Sequence, residues 1–347
     1  MAVGRWKTVS DETTQPVTSA EAAEGHPEAV ASARNQVEHS VFHSEDSAHE
    51  AMLRPKLLGP NEVRELAERL DVTPTKKLGQ NFVIDPNTVR KIVRLAGVEA
   101  GDRVVEVGPG LGSLTLGLTE ARASVTAIEI DHRLAAELPS TVAAMQPDAA
   151  KEGRLRVVRS DALDVTLGQL TDPDTFLAPE RLVANLPYNV SVPILMHLLE
   201  LLPGLRSGLV MVQAEVGNRI AAKPGSKEYG APSAKAAWYG KWHVAGVVSR
   251  RIFWPVPGVD SNLVAFERAE QRMGTEAERR ATFELVNAAF AGRRKMLRQS
   301  LQGVLGIPSS ADAASAAMAQ AGVDATLRAE QLDIDQYLAI ARAVTPQ

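Results

Sequence analysis

Between residues 102 and 213 the chain alternates two rhythms. Short β-branched and apolar runs, 102–108 (DRVVEVG), 124–130 (SVTAIEI), 155–161 (LRVVRSD), 181–186 (RLVANL) and 207–213 (SGLVMVQ), are separated by stretches with helical periodicity. Near-continuous apolar runs of that length suit strands covered on both faces. Two more runs, 242–250 (WHVAGVVSR) and 261–268 (SNLVAFER), lie close together and predict a hairpin-like end to the sheet. The alternation predicts an α/β fold: a Rossmann-like, doubly wound, mostly parallel seven-stranded sheet. Upstream, Val63, Leu66 and Leu70 fit a short amphipathic helix over 61–72, and 87–98 reads as another. Beyond about 275 the pattern is helical only, including "AERRATFELVNAAFAGRRKMLRQSL", which predicts a small C-terminal all-helical domain over 271–347. Residues 1–51 are poor in large apolar side chains and read as a disordered acidic tail. That leaves 52–270 as the sheet-bearing domain.

Charge sharpens this division. Residues 1–51 hold nine Asp/Glu against Arg5, Lys7 and Arg34, while the whole chain is only −4. Residues 206–251 hold eight basic residues against Glu215 and Glu228. From Leu285 to Ala311 there is no acid, while Arg293, Arg294, Lys295 and Arg298 cluster in "GRRKMLR". Two acid-poor basic regions point towards a polyanionic partner, with a solvated helix face as the plain alternative. The chain has no cysteine, which excludes disulfides, thiolate metal sites and a cysteine nucleophile. No metal site is expected. No stretch reaches the length of a membrane span, and the N-terminus lacks a signal-peptide core, so a cytoplasmic location without membrane contact is expected.

Candidate chemistry collects where strands end. "VVEVGPGLGSLT" (104–115) is a strand entering a glycine-rich turn and then a helix, a geometry that lets a ligand approach the backbone. A dinucleotide fingerprint would place its third glycine at 113, which is Ser113. The pattern is instead Glu106-x-Gly108-x-Gly110-x-Gly112. It resembles motif I of S-adenosylmethionine-dependent methyltransferases. Glu129 closes the next strand, where a carboxylate can accept two ribose hydroxyls. Nearby Asp131 suits the N-cap of the following helix. Asp161 follows the third strand, and in such enzymes an acid there faces the adenine amino group.

At the end of the fourth strand, "NLPYN" (185–189) places an amide, a proline and an aromatic ring where a strand favours none of them except the ring. Asn185 to Tyr188 resemble the [DNS]-P-P-[YF] type motif of amino-methyltransferases. An adenine exocyclic nitrogen is a poor nucleophile because its lone pair is delocalised into the ring. The Asn185 side-chain oxygen and a main-chain carbonyl of Leu186, held by Pro187, would accept its two N–H bonds, and Tyr188 would stack on the base.

With these motifs the chain resembles the small-subunit (16S-type) ribosomal RNA adenine N6-dimethyltransferases from about Thr73 to the C-terminus. "KKLGQNFVID" (76–85) matches the family's entry segment, "KEYGAPSAKAAWY" (227–239) and "FWPVPGVDSNLV" (253–264) its later blocks, and "FAGRRKMLRQSL" and "LRAEQLDIDQY" its RNA-contacting part. Position by position, the resemblance implies cofactor contacts from Asn81, Val83, Gly108, Gly110, Glu129, Asp161 and Asn185. It implies a catalytic group of Asn185, Leu186, Pro187 and Tyr188, with Phe253 sandwiching the base opposite Tyr188. RNA contacts fall to Arg293, Arg294, Lys295 and Arg298. Val83 stands for the usual Leu, and Trp254 is larger than the family's usual residue. The implied reaction is dimethylation of two adjacent adenines in the terminal hairpin of small-subunit rRNA within an immature 30S particle, by a monomer using S-adenosylmethionine. The alternatives are a large-subunit rRNA methyltransferase of the macrolide-resistance type and a non-catalytic assembly factor on the same fold.

Overall fold

The computed structural model describes residues 56–73 and 81–345. The tail 1–51 and the "KKLGQ" part of the entry segment lie outside the described residues. Nine strands follow in chain order: β1 (Phe82–Val83), β2 (Arg103–Val107), β3 (Ser124–Glu129), β4 (Leu155–Arg159), β5 (Arg181–Asn185), β6 (Ser207–Gln213), β7 (Gly240–Val248), β8 (Phe253–Trp254) and β9 (Ser261–Arg268). Seven form one sheet in the order β4-β3-β2-β5-β6-β9-β7. The β4-β3-β2-β5-β6 pairings are parallel, and β9 runs antiparallel to both β6 and β7. The hairpin-like end is thus present, with β9 inserted between β6 and the edge strand. The remaining two strands, β1 and β8, pair with each other as a separate antiparallel ribbon, which the sequence pattern does not foretell.

Both faces of the sheet are covered, as the apolar runs require. Successive residues feed different cores: Val105, Val107, Leu182, Ala184, Val210 and Val212 enter one, while Val104, Val183, Leu209 and Met211 enter the other. The chain winds from β2 outward through β3 to β4, then crosses back to β5 on the other side of β2. The carboxyl ends of β2 and β5 therefore flank a topological switch point, where open α/β sheets hold ligands. Helix starts are set locally. Asp85 accepts the N–H groups of Asn87 and Thr88 ahead of Pro86–Leu95, and Asp131 accepts that of Arg133 ahead of His132–Met145, as its N-cap reading expects.

The buried residues of the C-terminal helices are continuous with the core of the sheet. Leu285, Val286, Leu301, Tyr337 and Ile340 belong to the same buried cluster as Leu182, Ala184 and Ala234. The basic segment 290–301 is not a single helix, because the helix Glu276–Ala291 stops at Gly292 and only a short turn, Leu297–Ser300, follows. Met296 is extended and bridges to Arg328. Arg293, Arg294 and Lys295 thus stand on a connecting loop, with Arg298 half-buried on the turn.

Candidate active site

A cavity of about 240 Å³ opens at the carboxyl ends of β2, β3, β4 and β5. Its floor is the glycine turn. Gly110 has φ +58°, and a Cβ there would sit 2.9 Å from the Phe82 ring, so only glycine fits beneath that residue. Gly112, with φ +97°, begins the helix Ser113–Glu120.

Glu129 braces this turn. One carboxylate oxygen accepts the Gly110 N–H at 3.1 Å and the other accepts the Asp131 N–H at 2.9 Å. A carboxylate has about four acceptor positions, so acceptor capacity remains for ligand hydroxyls. Burial pushes the Glu129 carboxyl above its ordinary range, against the opposing pull of these N–H bonds. Glu106, deeper in the same wall, is fully buried and takes a hydrogen bond of 2.6 Å from the Thr115 hydroxyl. Burial, more than the charge of Glu129, moves its carboxyl up to about 8. A cavity wall holding two buried acids favours a ligand that brings positive charge. Asp161 and Ser160 line the β4 side, where Asp161 accepts the Leu163 N–H at 2.9 Å.

Across the cavity, Asn185 ends β5. Its Nδ2 donates to the Asn81 carbonyl at 3.2 Å, which leaves Oδ1 buried without a hydrogen-bond partner. A buried acceptor left unsatisfied costs on the order of 1–3 kcal/mol, and such a group in a cavity wall marks a place for a donor. Pro187, Asn189 and Val190 continue that wall. The Leu186 side chain is buried in the core, and its N–H donates to the Met211 carbonyl, so its main-chain carbonyl is the group it can offer a ligand. Tyr188 shares a hydrogen bond of 2.6 Å with the Ser261 hydroxyl, and burial raises its phenol.

The structure brings Asn81, Val83, Gly108, Gly110, Glu129, Asp161, Asn185 and Pro187 to one cavity. Phe253 is placed otherwise. It is wholly buried and packs in the core with Val83, Val89 and Leu263, so its ring presents no face to a base. The basic residues Arg293, Arg294, Lys295 and Arg298 do not line the cavity. Arg293 is partly structural: it donates to the Lys227 carbonyl at 2.9 Å and stands 3.9 Å from Glu330. Sequence reasoning missed Phe82 and Thr115 as parts of the site. Phe82 sits in the quoted entry segment, and Thr115 lies one helical turn into the motif, so position alone carried a signal. Among the described residues no cluster of side chains suits a metal ion, and no helix is long and apolar enough to cross a membrane.

A family model described as ribosomal RNA adenine dimethylase matches residues 73–345. The chain belongs to that family. The ribosomal RNA small subunit methyltransferase A of Leifsonia xyli subsp. xyli is 64% identical over 286 residues, covering 82% of this chain and 98% of the relative. The protein of the same name from Thermobifida fusca is 56% identical, covering 82% and 96%. Among solved structures, a dimethyladenosine transferase from Plasmodium falciparum aligns with TM-score 0.61 at 23% identity, over 75% of this chain and 95% of that one. A 23S rRNA methyltransferase aligns at 0.54 and 24%, over 76% and 99%. These two likenesses establish the methyltransferase fold. Membership in the dimethylase family makes the chain a methyltransferase acting on adenine in ribosomal RNA.

Proposed function

We propose that this dimethylase transfers methyl groups from S-adenosylmethionine to N6 of two adjacent adenines in the terminal hairpin of small-subunit rRNA, within immature 30S particles. The small-subunit substrate is supported by relatives of that name at 50–64% identity. The cavity suits the cofactor. Its glycine floor has no room for a side chain at Gly110, Glu129 keeps acceptor capacity for a ribose, and Glu106 can give up its proton to offset a bound positive charge. Bound there, S-adenosylmethionine supplies an electrophilic sulfonium methyl group.

The buried, unpartnered Oδ1 of Asn185 carries this reading. It and the Leu186 carbonyl accept the two N–H bonds of the adenine amino group, drawing the nitrogen lone pair out of conjugation. The Asn81 carbonyl fixes which way the amide faces. Tyr188, its hydroxyl held by Ser261, provides a flat platform for the extruded base. Orientation and hydrogen bonding suffice, and no side chain needs to act as a strong base. The test combines immature small subunits lacking dimethyladenosine with labelled S-adenosylmethionine and mass spectrometry of the rRNA. The expected product is two dimethylated adenines in one hairpin. Asn185→Ala should lower turnover on the order of a hundredfold while cofactor affinity changes little. Near-normal turnover in that variant, or methylation of large-subunit RNA alone, refutes the proposal.

A further inference from the structure

The β1–β8 ribbon links the glycine turn of the cofactor cavity to the loop that follows β7. On one side Phe82 lies over Gly110, and the Ser113 hydroxyl donates to the Val83 carbonyl at 2.6 Å, so β1 covers the glycine turn of the cofactor cavity. On the other side β8 lies within the loop running from Arg250 to Asp260. That loop is braced internally: the Arg250 N–H donates to the Asp260 carboxylate at 2.9 Å, and its guanidinium donates to the Gly258 carbonyl at 3.1 Å. It ends at Ser261, the partner of Tyr188. Its outer surface carries exposed Val256, Val259 and Arg251, apolar and cationic groups suited to bases and phosphates.

The join has two faces: Phe253 and Val83 are buried in the core on one, and Trp254 meets Phe82 on the other. The Ile84 N–H donates to the Ile252 carbonyl at 2.8 Å, and Phe82 pairs with Trp254 in register. Their rings stack with centroids 6.3 Å apart and planes inclined by 26°. With only two residues per strand, backbone bonding holds the ribbon weakly, and ring contact is the main side-chain contribution on that face. A ligand that fixes Phe82 over the glycine turn therefore fixes Trp254 and the braced loop behind it.

We propose that Trp254 is a positioning residue through which the cofactor and the RNA substrate each strengthen binding of the other. The coupling is reciprocal by thermodynamic necessity. It rests on the RNA substrate proposed above. Equilibrium dialysis of labelled S-adenosylhomocysteine, which cannot be turned over, tests it with and without saturating immature 30S particles. For the unmodified protein the particles should tighten S-adenosylhomocysteine binding at least fivefold. Trp254→Ala should reduce that ratio below twofold, while Trp254→Phe, which keeps a stacking ring, should retain it. Trp254→Leu replaces the alanine variant if the latter melts at a markedly lower temperature. An undiminished ratio in the alanine or leucine variant overturns the proposal, as does a ratio of one in the unmodified protein. If the unmodified protein does not bind the particles at all, the substrate reading fails and this inference falls with it. Binding and methylation with an unchanged ratio overturn the coupling alone.

Discussion

Replacing Glu106 by Gln isolates the electrostatic character of the cavity wall. In the folded protein this carboxyl is fully buried and moved from 4.5 up to about 8 by desolvation, so it is mostly protonated at neutral pH. The unfolded chain ionises it near its ordinary value. The native state therefore binds the proton more tightly, and unfolding stability falls as pH rises between the two values. The contribution is fully present below about pH 4.5 and lost by the time pH passes about 8. The window spans about 3.5 pH units, and at about 1.4 kcal/mol per unit its ceiling is about 5 kcal/mol. A measured difference of about a few kcal/mol is expected. Gln keeps the shape and can still accept the Thr115 hydroxyl hydrogen, but it does not titrate. Denaturant unfolding of the ligand-free protein and of Glu106→Gln from pH 5 to pH 8.5 is the assay. The two stability curves should run together near pH 5 and separate progressively above it, with the glutamine variant the more stable. S-adenosylmethionine should reverse the ranking, since its positive charge favours the carboxylate. Parallel curves across the range would refute the assignment of Glu106 as a buried, protonated acid.

Glu129→Ala should weaken S-adenosylmethionine binding by about 1.5–3 kcal/mol per lost hydrogen bond; unchanged affinity by calorimetry would dismiss the ribose contact. Neutralising Arg293, Arg294 and Lys295 together should flatten the salt dependence of particle binding by roughly 0.7–0.9 per lost phosphate contact. Because Arg293 also holds the Lys227 carbonyl, a modest drop in melting temperature should accompany it; an unaltered salt slope returns the cluster to a merely solvated surface. A chain beginning at Met52 should fold and methylate as the full chain does, since the family match starts at residue 73; a large loss of stability or methyl incorporation would show that 1–51 contribute.

The sheet was legible because its central strands are buried on both faces and read as β-branched runs, and the ends of all seven runs fall within two residues of the observed ones. The glycine turn was legible because positive φ and the lack of room beneath Phe82 demand glycine at Gly110. The basic segment was not. Arg, Lys, Met and Leu favour helix, so only Gly292 signalled the break, and the partner that holds Met296 extended, Arg328, lies far along the chain. Phe253 was placed beside the base through resemblance alone, and nothing in its local sequence distinguishes a ring facing a ligand from one facing Val89 and Leu263. The β1–β8 ribbon escaped notice for a similar reason: two-residue strands have no periodicity to read. The conformation of Asn185 depends on a carbonyl 104 positions away, which no local pattern encodes.

The core shared between the sheet and the C-terminal helices bears on how such enzymes change partners. Leu285, Val286 and Tyr337 belong to the same continuous buried cluster as Leu182 and Ala184. Cutting the chain before Glu276 would uncover the helix Ala231–Ala237, on which the helices Glu276–Ala291 and Ile334–Val344 pack, so the helical part is not a loosely joined appendage. New specificity has to be written into the loops that emerge from this common interior. The loops are free to drift, while the interior beneath them is not.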